Sequence, residues 1–324
     1  MSTIIVTGAS GFIGSQLVQD LLESYDIIGI DIESPNSEIL QNPRYRHLRL
    51  DLTDTDTYNL IPTENIKCIC HLAAKIRVDE SQSDPQLYYQ NNVVATLNLL
   101  KWALHNNIKN FLFASTAAVY GNPSNNSFVE EDAGNPASVY GRGKLMVEQI
   151  LADYSVAYGL RGYIFRFFNV CGGAESNHPK AIHLIPIIAN NLIESKDIKI
   201  LGTDYKTKDG TCVRDYIHYK DITRGFVMAI NCGFSHTNFK TYNLGSGSGY
   251  SVREIVTKSV EWYTQNIGIP SSSIVEASRR PGDPDMLLAD CTKVKNELKW
   301  EPRYTLGDMI RDTIGEIVKG KNQK

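Results

Sequence analysis

The stretch Thr3-Ile-Ile-Val-Thr-Gly-Ala-Ser-Gly-Phe-Ile-Gly14 decides the fold. Ile4 to Val6 is an apolar run of the length of a buried strand. It ends in Gly8-x-x-Gly11-x-x-Gly14, and the amphipathic run Phe12 to Leu22 predicts a helix directly after it. Strand, glycine turn and helix in this order open a dinucleotide-binding βαβ unit. Gly8 permits the tight turn, Gly11 lets the backbone approach a pyrophosphate, and Gly14 lets the helix pack close to the sheet. The helix N-terminus points free N–H groups at the phosphates, so Phe12 and Ile13 join the three glycines as candidate contacts. Three glycines alone also occur in other α/β turns. What strengthens the motif is the next strand, Asp26-Ile-Ile-Gly-Ile-Asp31, which ends in an acid seventeen residues past Gly14. A carboxylate there accepts hydrogen bonds from both ribose hydroxyls and repels a 2′-phosphate. Asp31, with Ile32 beside it, therefore predicts NAD rather than NADP.

The 324 residues suffice for two lobes or one large α/β domain with an appendage. A formal net charge of −3 gives no reason to expect nucleic acid or an anionic membrane as partner. An anionic substrate must be held by local arginines. No run approaches membrane-spanning length, and a first strand at residue 3 or 4 leaves no room for a leader, so the cytoplasm is the expected compartment. The six cysteines are scattered and form no C-x-x-C. Strand alternation puts Cys68 and Cys70 on one face and His71 on the other. Free core thiols, not a metal site, are expected.

A third strand ends in Asp51-Leu52, beside the adenine in a doubly wound sheet. Asp51 could accept from the adenine amino group, cap a helix over Thr55 to Ile61, or do both. The fourth strand, Lys67 to Leu72, runs into Ala73-Ala74, small residues that admit a cofactor. Pro85 to Asn107 reads as one helix with Leu87, Val94, Leu97, Leu100 and Leu104 inward, and one of Asn91 and Asn92 should anchor the strand-end loops. The fifth strand, Asn110 to Ala114, leads into Ser115-Thr116. Tyr140 to Lys144 opens a helix to Tyr158, and a sixth strand, Gly162 to Phe168, ends in Asn169. Beyond it the pattern alternates shorter helices and strands, with a capping box at Ser251-Val-Arg-Glu254. The expected architecture is α/β. A Rossmann-type doubly wound parallel sheet occupies residues 1–170, segments near 213–244 and 286–290 return to it, and a smaller mixed α/β substrate lobe spans residues 171–324.

Tyr140 and Lys144, at i and i+4, share a helical face. A free tyrosine has a pKa of about 10 and is a poor base at neutral pH. A lysine ammonium one turn away, together with a positive nicotinamide ring, favours the phenolate. Lowering the pKa by roughly three units takes about 4 kcal/mol, within reach of two cations in a partly desolvated cleft. The phenolate can then take a proton from a sugar hydroxyl while hydride leaves the same carbon, and Thr116 offers a hydroxyl to share that proton. A solvated surface pair is the commoner meaning of Tyr-x-x-x-Lys; the glycine fingerprint and the Ser-Thr strand end that precede it change the reading.

These stretches carry a resemblance. The chain resembles the extended short-chain dehydrogenase/reductases and, among them, the UDP-sugar 4-epimerases. The matches run nearly end to end, through Thr7 to Gly14, His71 to Ala74, Asn91 to Val93, Ser115 to Gly121, Tyr140 to Lys144, Arg166 to Asn169, Asp209 to His218, Tyr242 to Gly245 and Arg280 to Asp283. Asp209-Gly-Thr-Cys-Val-Arg-Asp-Tyr-Ile-His218 is the most specific of these. The resemblance implies a catalytic set of Thr116, Tyr140 and Lys144, with Tyr140 as base. It implies that Asp31, Asp51, Leu52, Leu72, Ala73, Ala74, Asn91, Ser115 and Phe168 line NAD. It further implies that Asn169, His183, Leu184, Leu201, Arg214, Arg280, Asp283 and Leu287 hold a UDP-sugar, and that the protein is a homodimer. The implied reaction passes hydride from C4 to tightly held NAD and returns it to the other face of a 4-keto sugar. Read without the resemblance, Arg214 and Arg280 suit a diphosphate or form the surface pairs Arg214–Asp215 and Arg280–Asp283.

Three features depart from the family pattern. Ile76 stands where many members carry a polar residue or lysine. The stretch from Asn169 to His183 is short. Leu287, at the position that gates the sugar 2-substituent, is smaller than the tyrosine of some members and leaves room for an N-acetyl group. A 4,6-dehydratase would need an acid pair after Thr116, where this chain has Ala117-Ala118. A UDP-GlcNAc/UDP-GalNAc 4-epimerase, another UDP-sugar epimerase and a non-catalytic NAD-binding regulator stand as alternatives.

Overall fold

The computed structural model describes residues 1–121, 127–173, 183–279 and 283–322. The chain forms two compact units, each built from several chain segments. The first comprises Met1–Gly121, Ala133–Phe167 and Thr223–Tyr242, the second Asn122–Asp132, Phe168–Ile222 and Asn243–Lys324.

Seven strands make the sheet of the first unit: β1 (Thr3–Thr7), β2 (Asp26–Asp31), β3 (Tyr45–Arg49), β4 (Ile66–His71), β5 (Asn110–Thr116), β6 (Arg161–Phe167) and β7 (Phe239–Leu244). Their spatial order is β7-β6-β5-β4-β1-β2-β3, and the pairings from β3 through to β6 are parallel. The order reverses at the β1–β4 pair, and a doubly wound sheet offers its ligand crevice at the carboxyl ends of the strands beside that reversal. The apolar strands fit a sheet covered on both faces: Ile4, Ile5, Val6, Cys68, Ile69 and Cys70 are wholly buried. Helix α1 (Phe12–Leu21) buries Leu17, Val18 and Leu21 against it, each contributing about 1.5–3 kcal/mol.

The expected single helix over Pro85 to Asn107 is interrupted. A short helix, Pro85–Tyr89, passes through a π-turn at Gln90–Val94 into Ala95–His105. The extra residue of a π-turn rotates the following face. Ala95, Leu99, Leu100 and Ala103 therefore enter the core, whereas Val94, expected inward, is exposed. Asp51 does not cap the next segment: its Oδ1 accepts from Thr53, and Asp54 caps the 3-10 turn Thr55–Leu60.

The second unit holds a five-stranded sheet in the order Gly249–Ser251, Val213–His218, Met286–Ala289, Ser127–Phe128, with Asn169–Cys171 also paired to Val213–His218. A two-stranded parallel sheet joins Ile274–Ala277 to Ile198–Leu201. Helices Leu184–Ile193, Val252–Asn266 and Leu306–Asn322 contribute to one apolar core that includes Ile188, Ile255, Met309 and Ile310. The strands at 213–218 and 286–289, expected to return to the large sheet, lie here instead. Asp215 accounts for the placement. It is wholly buried, and its carboxylate accepts from the backbone N–H groups of Ser246, Gly247 and Ala289, tying three segments of this unit together. Among the described residues no helix is long and apolar enough to cross a membrane.

Candidate active site

The glycine turn has the geometry of a phosphate cradle. Gly8 sits at φ +70°, and a Cβ there would stand 2.7 Å from Ala73 N. A Cβ on Gly14 would lie 1.9 Å from the Gly8 carbonyl oxygen, so the first turn of α1 rests directly on the β1 turn. Gly11 is the N-cap of α1 and brings no capping side chain to the positive end of the helix dipole. Ala73 and Ala74 follow β4, and Thr7 Oγ1 accepts from Ala73 N at 3.3 Å. At the end of β2, Asp31 Oδ2 accepts from Ser10 N and Oδ1 from Glu33 N. Each carboxylate oxygen keeps a second lone pair. Leu52 is buried, Asp51 exposed and Ile32 exposed.

The two asparagines divide their work. Asn92, 3% exposed, accepts from Lys75 N and donates to Lys75 O, both at 2.8 Å. It braces the chain where it leaves β4. Asn91 donates back to Leu87 O within its own helical segment. Asn92→Ala would leave both Lys75 backbone groups without that partner. The expected result is a loss of about 1–3 kcal/mol in denaturant unfolding, with weaker retention of the dinucleotide.

Helix Val139–Tyr158, here α2, starts at a dense set of caps. Ser138 Oγ accepts from Gly141 N, Ser81 Oγ from Tyr140 N and Gln82 Oε1 from Val139 N. These bonds set the azimuth of Tyr140. Its phenol is hydrogen-bonded to the Thr116 hydroxyl, and burial pushes its pKa up to about 12, a rise that the Thr116 bond opposes. Lys144, 3% exposed, donates to Ala114 O at 2.7 Å and lies 4.7 Å over the Phe113 ring. Burial lowers its pKa to about 7, against the pull of Glu148. The expected one-turn lowering of the tyrosine by lysine is thus not present in the protein alone. Desolvation of the phenol dominates, with the Thr116 bond as the opposing pull.

The Ser115 hydroxyl is hydrogen-bonded to Glu148 Oε1, so its side chain turns into the core and its backbone is the part left to face a cofactor. Glu148 pairs with Arg166, whose Nη2 lies 2.6 Å from Oε2, and the Arg166 guanidinium lies 4.8 Å over the Tyr120 ring. Neither Glu148 nor Arg166 was expected at the site. The available signal was an acid at i+4 from Lys144 and i+8 from Tyr140, on the face a helix buries. His71 Nδ1 and Nε2 are engaged by the Thr7 and Thr96 hydroxyls at 2.7 and 2.8 Å. Burial, helped by Lys144, lowers its pKa to about 3, so it stands neutral.

In the second unit, Arg214 and Leu287 are register partners on adjacent strands. Arg214 pairs with Asp283 rather than Asp215, with Nη2 3.1 Å from Oδ1. Nη2 is buried and makes no well-aligned hydrogen bond, so it keeps donor capacity. Asn169 donates to Asp215 O at 2.9 Å. Phe168 is buried and its N–H bonds Leu244 O. His183 stands at the N-cap position of the helix Leu184–Ile193 without a side-chain capping bond, and Leu184 and Leu201 are half-buried. Arg280 and the middle of the short stretch before His183 lie outside the described residues.

A family model described as GDP-mannose 4,6 dehydratase matches residues 5–313. A UDP-glucose 4-epimerase of Halalkalibacterium halodurans is 36% identical over 310 residues, covering 93% of this chain and 91% of that one. The chain belongs to this family, as a relative of the UDP-glucose 4-epimerases. Among solved family members, the UDP-glucose 4-epimerase of Bifidobacterium longum in complex with NAD+ and UDP superposes with a TM-score of 0.87 at 33% identity, covering 100% of both chains. The UDP-Glc/GlcNAc 4-epimerase of Campylobacter jejuni gives a TM-score of 0.85 at 32% identity, covering 98% of this chain and 100% of that one. Family membership thus extends over both units and all the elements that carry the residues above.

Proposed function

We propose that this chain catalyses reversible C4 epimerisation of a UDP-hexose, interconverting UDP-glucose and UDP-galactose, with NAD held through the cycle. The observation that carries this reading is the hydrogen-bonded pair of Thr116 and Tyr140, both half-buried, with the buried Lys144 one helical turn on, in the unit that also holds the glycine cradle. The cradle fits a dinucleotide on its own geometry: glycines at 8, 11 and 14, no capping side chain at the start of α1, and the Asp31 carboxylate fixed at the end of β2. In this reading Gly8, Gly11, Phe12, Ile13 and Gly14 hold the pyrophosphate and Asp31 the ribose hydroxyls. Asp51 and Leu52 meet the adenine; Ala73 and Ala74 line the cofactor. Bound NAD supplies a hydride acceptor and, when oxidised, a positive ring that favours the phenolate.

The protein's own part is proton handling. Thr116 Oγ1 bonds both Ala118 N and the Tyr140 phenol, so it can carry a proton between the sugar 4-hydroxyl and the Tyr140 oxygen. Tyr140 takes that proton as C4 is oxidised and gives it back as C4 is reduced. Lys144 as ammonium stabilises the phenolate. In the second unit, Arg214 offers the remaining donor capacity of Nη2 to the diphosphate, with its ion pair to Asp283 orienting it. Asn169, His183, Leu184, Leu201 and Arg280 are proposed for the rest of the UDP-sugar, and Leu287 for the 2-substituent. Ala117 and Ala118 occupy the turn after β5, which supports an epimerase over a dehydratase.

The small Leu287 favours a second substrate class, UDP-N-acetylhexosamines, beside the plain hexoses. Proton NMR of purified enzyme with UDP-galactose, and separately with UDP-N-acetylgalactosamine, tests both points without added NAD. Interconversion of UDP-galactose with UDP-glucose is expected, and turnover of the acetamido sugar follows if Leu287 leaves the gate open. Bound NAD without conversion of either sugar would contradict the reading. We further propose a cytoplasmic homodimer. Six free thiols suit a reducing compartment, and α2 exposes Met146, Val156 and Tyr158, apolar groups that a partner helix would cover.

A further inference from the structure

We propose that Glu148 is a positioning residue: clamped by Ser115 and Arg166, it fixes a negative charge one helical turn beyond Lys144 and keeps Lys144 a cation within the site. This rests on the reading of Lys144 as part of the catalytic set.

The geometry is that of a built network. Ser115, Lys144, Glu148 and Arg166 come from β5, α2 and β6 and are between 2% and 7% exposed. Arg166 bonds both carboxylate oxygens, Nε to Oε1 at 3.1 Å and Nη2 to Oε2 at 2.6 Å, and the Ser115 hydroxyl takes Oε1 from the other side. Charge-assisted bonds to both oxygens fix a buried carboxylate in place and direction. Lys144 needs such a neighbour. Its direct hydrogen bond goes to the neutral Ala114 carbonyl, and the Phe113 ring face is its other close contact. A buried ammonium with only these partners loses its proton readily.

The other groups around Lys144 do not supply the charge. His71 on β4 is neutral, with both ring nitrogens engaged by hydroxyls. Phe113 and Ser115 on β5 carry no charge, and Tyr140 on α2 is a neutral phenol in this state. Arg166 on β6 is bound up with Glu148. Glu148 is the charge that raises Lys144 against the lowering by burial. Below the Lys144 midpoint the ammonium is present and supports the phenolate; above it the support is lost. Removing Glu148 therefore moves the loss to lower pH.

The test uses the NAD-containing enzyme and two variants. Glu148→Gln removes the charge at constant size. E148Q/R166M also removes the arginine left unpaired, since a neutral buried pair of similar volume is often tolerated. The side-chain nitrogen of Lys144 is titrated by NMR in 15N-lysine protein, its signal assigned by loss in Lys144→Arg. Thermal melts verify folding. The Lys144 midpoint is expected to fall by about one pH unit or more, a tenfold change in its ionisation constant, in whichever variants fold. The alkaline limb of the kcat profile should move with it. An unmoved midpoint in a folded variant overturns the proposal and leaves Glu148–Arg166 a structural pair. A lowered midpoint with an unmoved kcat profile supports the charge placement and overturns the catalytic reading of Lys144.

Discussion

Tyr140→Phe is expected to slow UDP-galactose turnover by about 10²–10⁴-fold while leaving NAD bound. The loss follows from where the proton must go. Thr116 sits between Tyr140 and the neighbouring backbone, accepting from Ala118 N and sharing a hydrogen bond with the phenol. Without the phenolic oxygen, Thr116 has no group to pass a proton to and must lose its own, which a free hydroxyl does not do near neutrality. Nothing in the glycine cradle depends on that oxygen. The caps that start α2 are made by Ser81, Gln82 and Ser138, and the phenylalanine ring keeps the apolar part of the side chain. The variant should melt close to the parent and release the same amount of NAD on denaturation. The pair of measurements, kcat by a coupled assay and NAD content by absorbance, separates this outcome from a general loss of fold.

Gly14→Ala should do the opposite, with NAD lost first and activity lost as a consequence. The added methyl would lie 1.9 Å from the Gly8 carbonyl oxygen and 2.8 Å from its carbon. Both are backbone atoms, so no rotamer change relieves the clash. Either α1 lifts from the turn or the turn opens, and each displaces the helix N-terminus from the phosphate position. Overpacking of this kind costs about 1–3 kcal/mol, and a contact this short against backbone belongs at the upper end. Gly11→Ala is the control. Its Cβ would meet the Gly8 oxygen at 3.2 Å, a contact that a small shift relieves. The expected ranking, by thermal melting and by NAD content after purification, puts the Gly14 variant well below the Gly11 variant.

What could be read in the sequence was what local spacing controls. Gly8, Gly11 and Gly14 fix a turn and a helix start within twelve residues, and Asp31 closes the next strand. Tyr140 and Lys144 lie one turn apart on a helix whose register nothing interrupts. The rest depended on side-chain partners and burial that spacing does not carry. Nothing in Asn91-Asn92 says which one faces the chain leaving β4; the π-turn at Gln90–Val94 decides it, by rotating Asn92 onto Lys75. Asp51 and Asp54 both precede a helical turn, and the Thr53 hydroxyl takes the first. Val213–His218 has the apolar character of a strand but not its address; the backbone bonds that Asp215 collects from Ser246, Gly247 and Ala289 supply that. In the protein alone the Tyr140 phenol shifts upward, for a reason that spacing does not carry. Spacing revealed the lysine but not the depth of burial, which raises the phenol and lowers the ammonium together.

The central claim is that C4 is inverted by removal and return of the same hydrogen inside one protein. It is tested most directly with UDP-galactose carrying deuterium at C4, incubated in ordinary water with purified enzyme and no added NAD. The account predicts UDP-glucose with the deuterium still at C4. UDP-glucose with hydrogen in its place, or no UDP-glucose from enzyme that contains NAD, would contradict it.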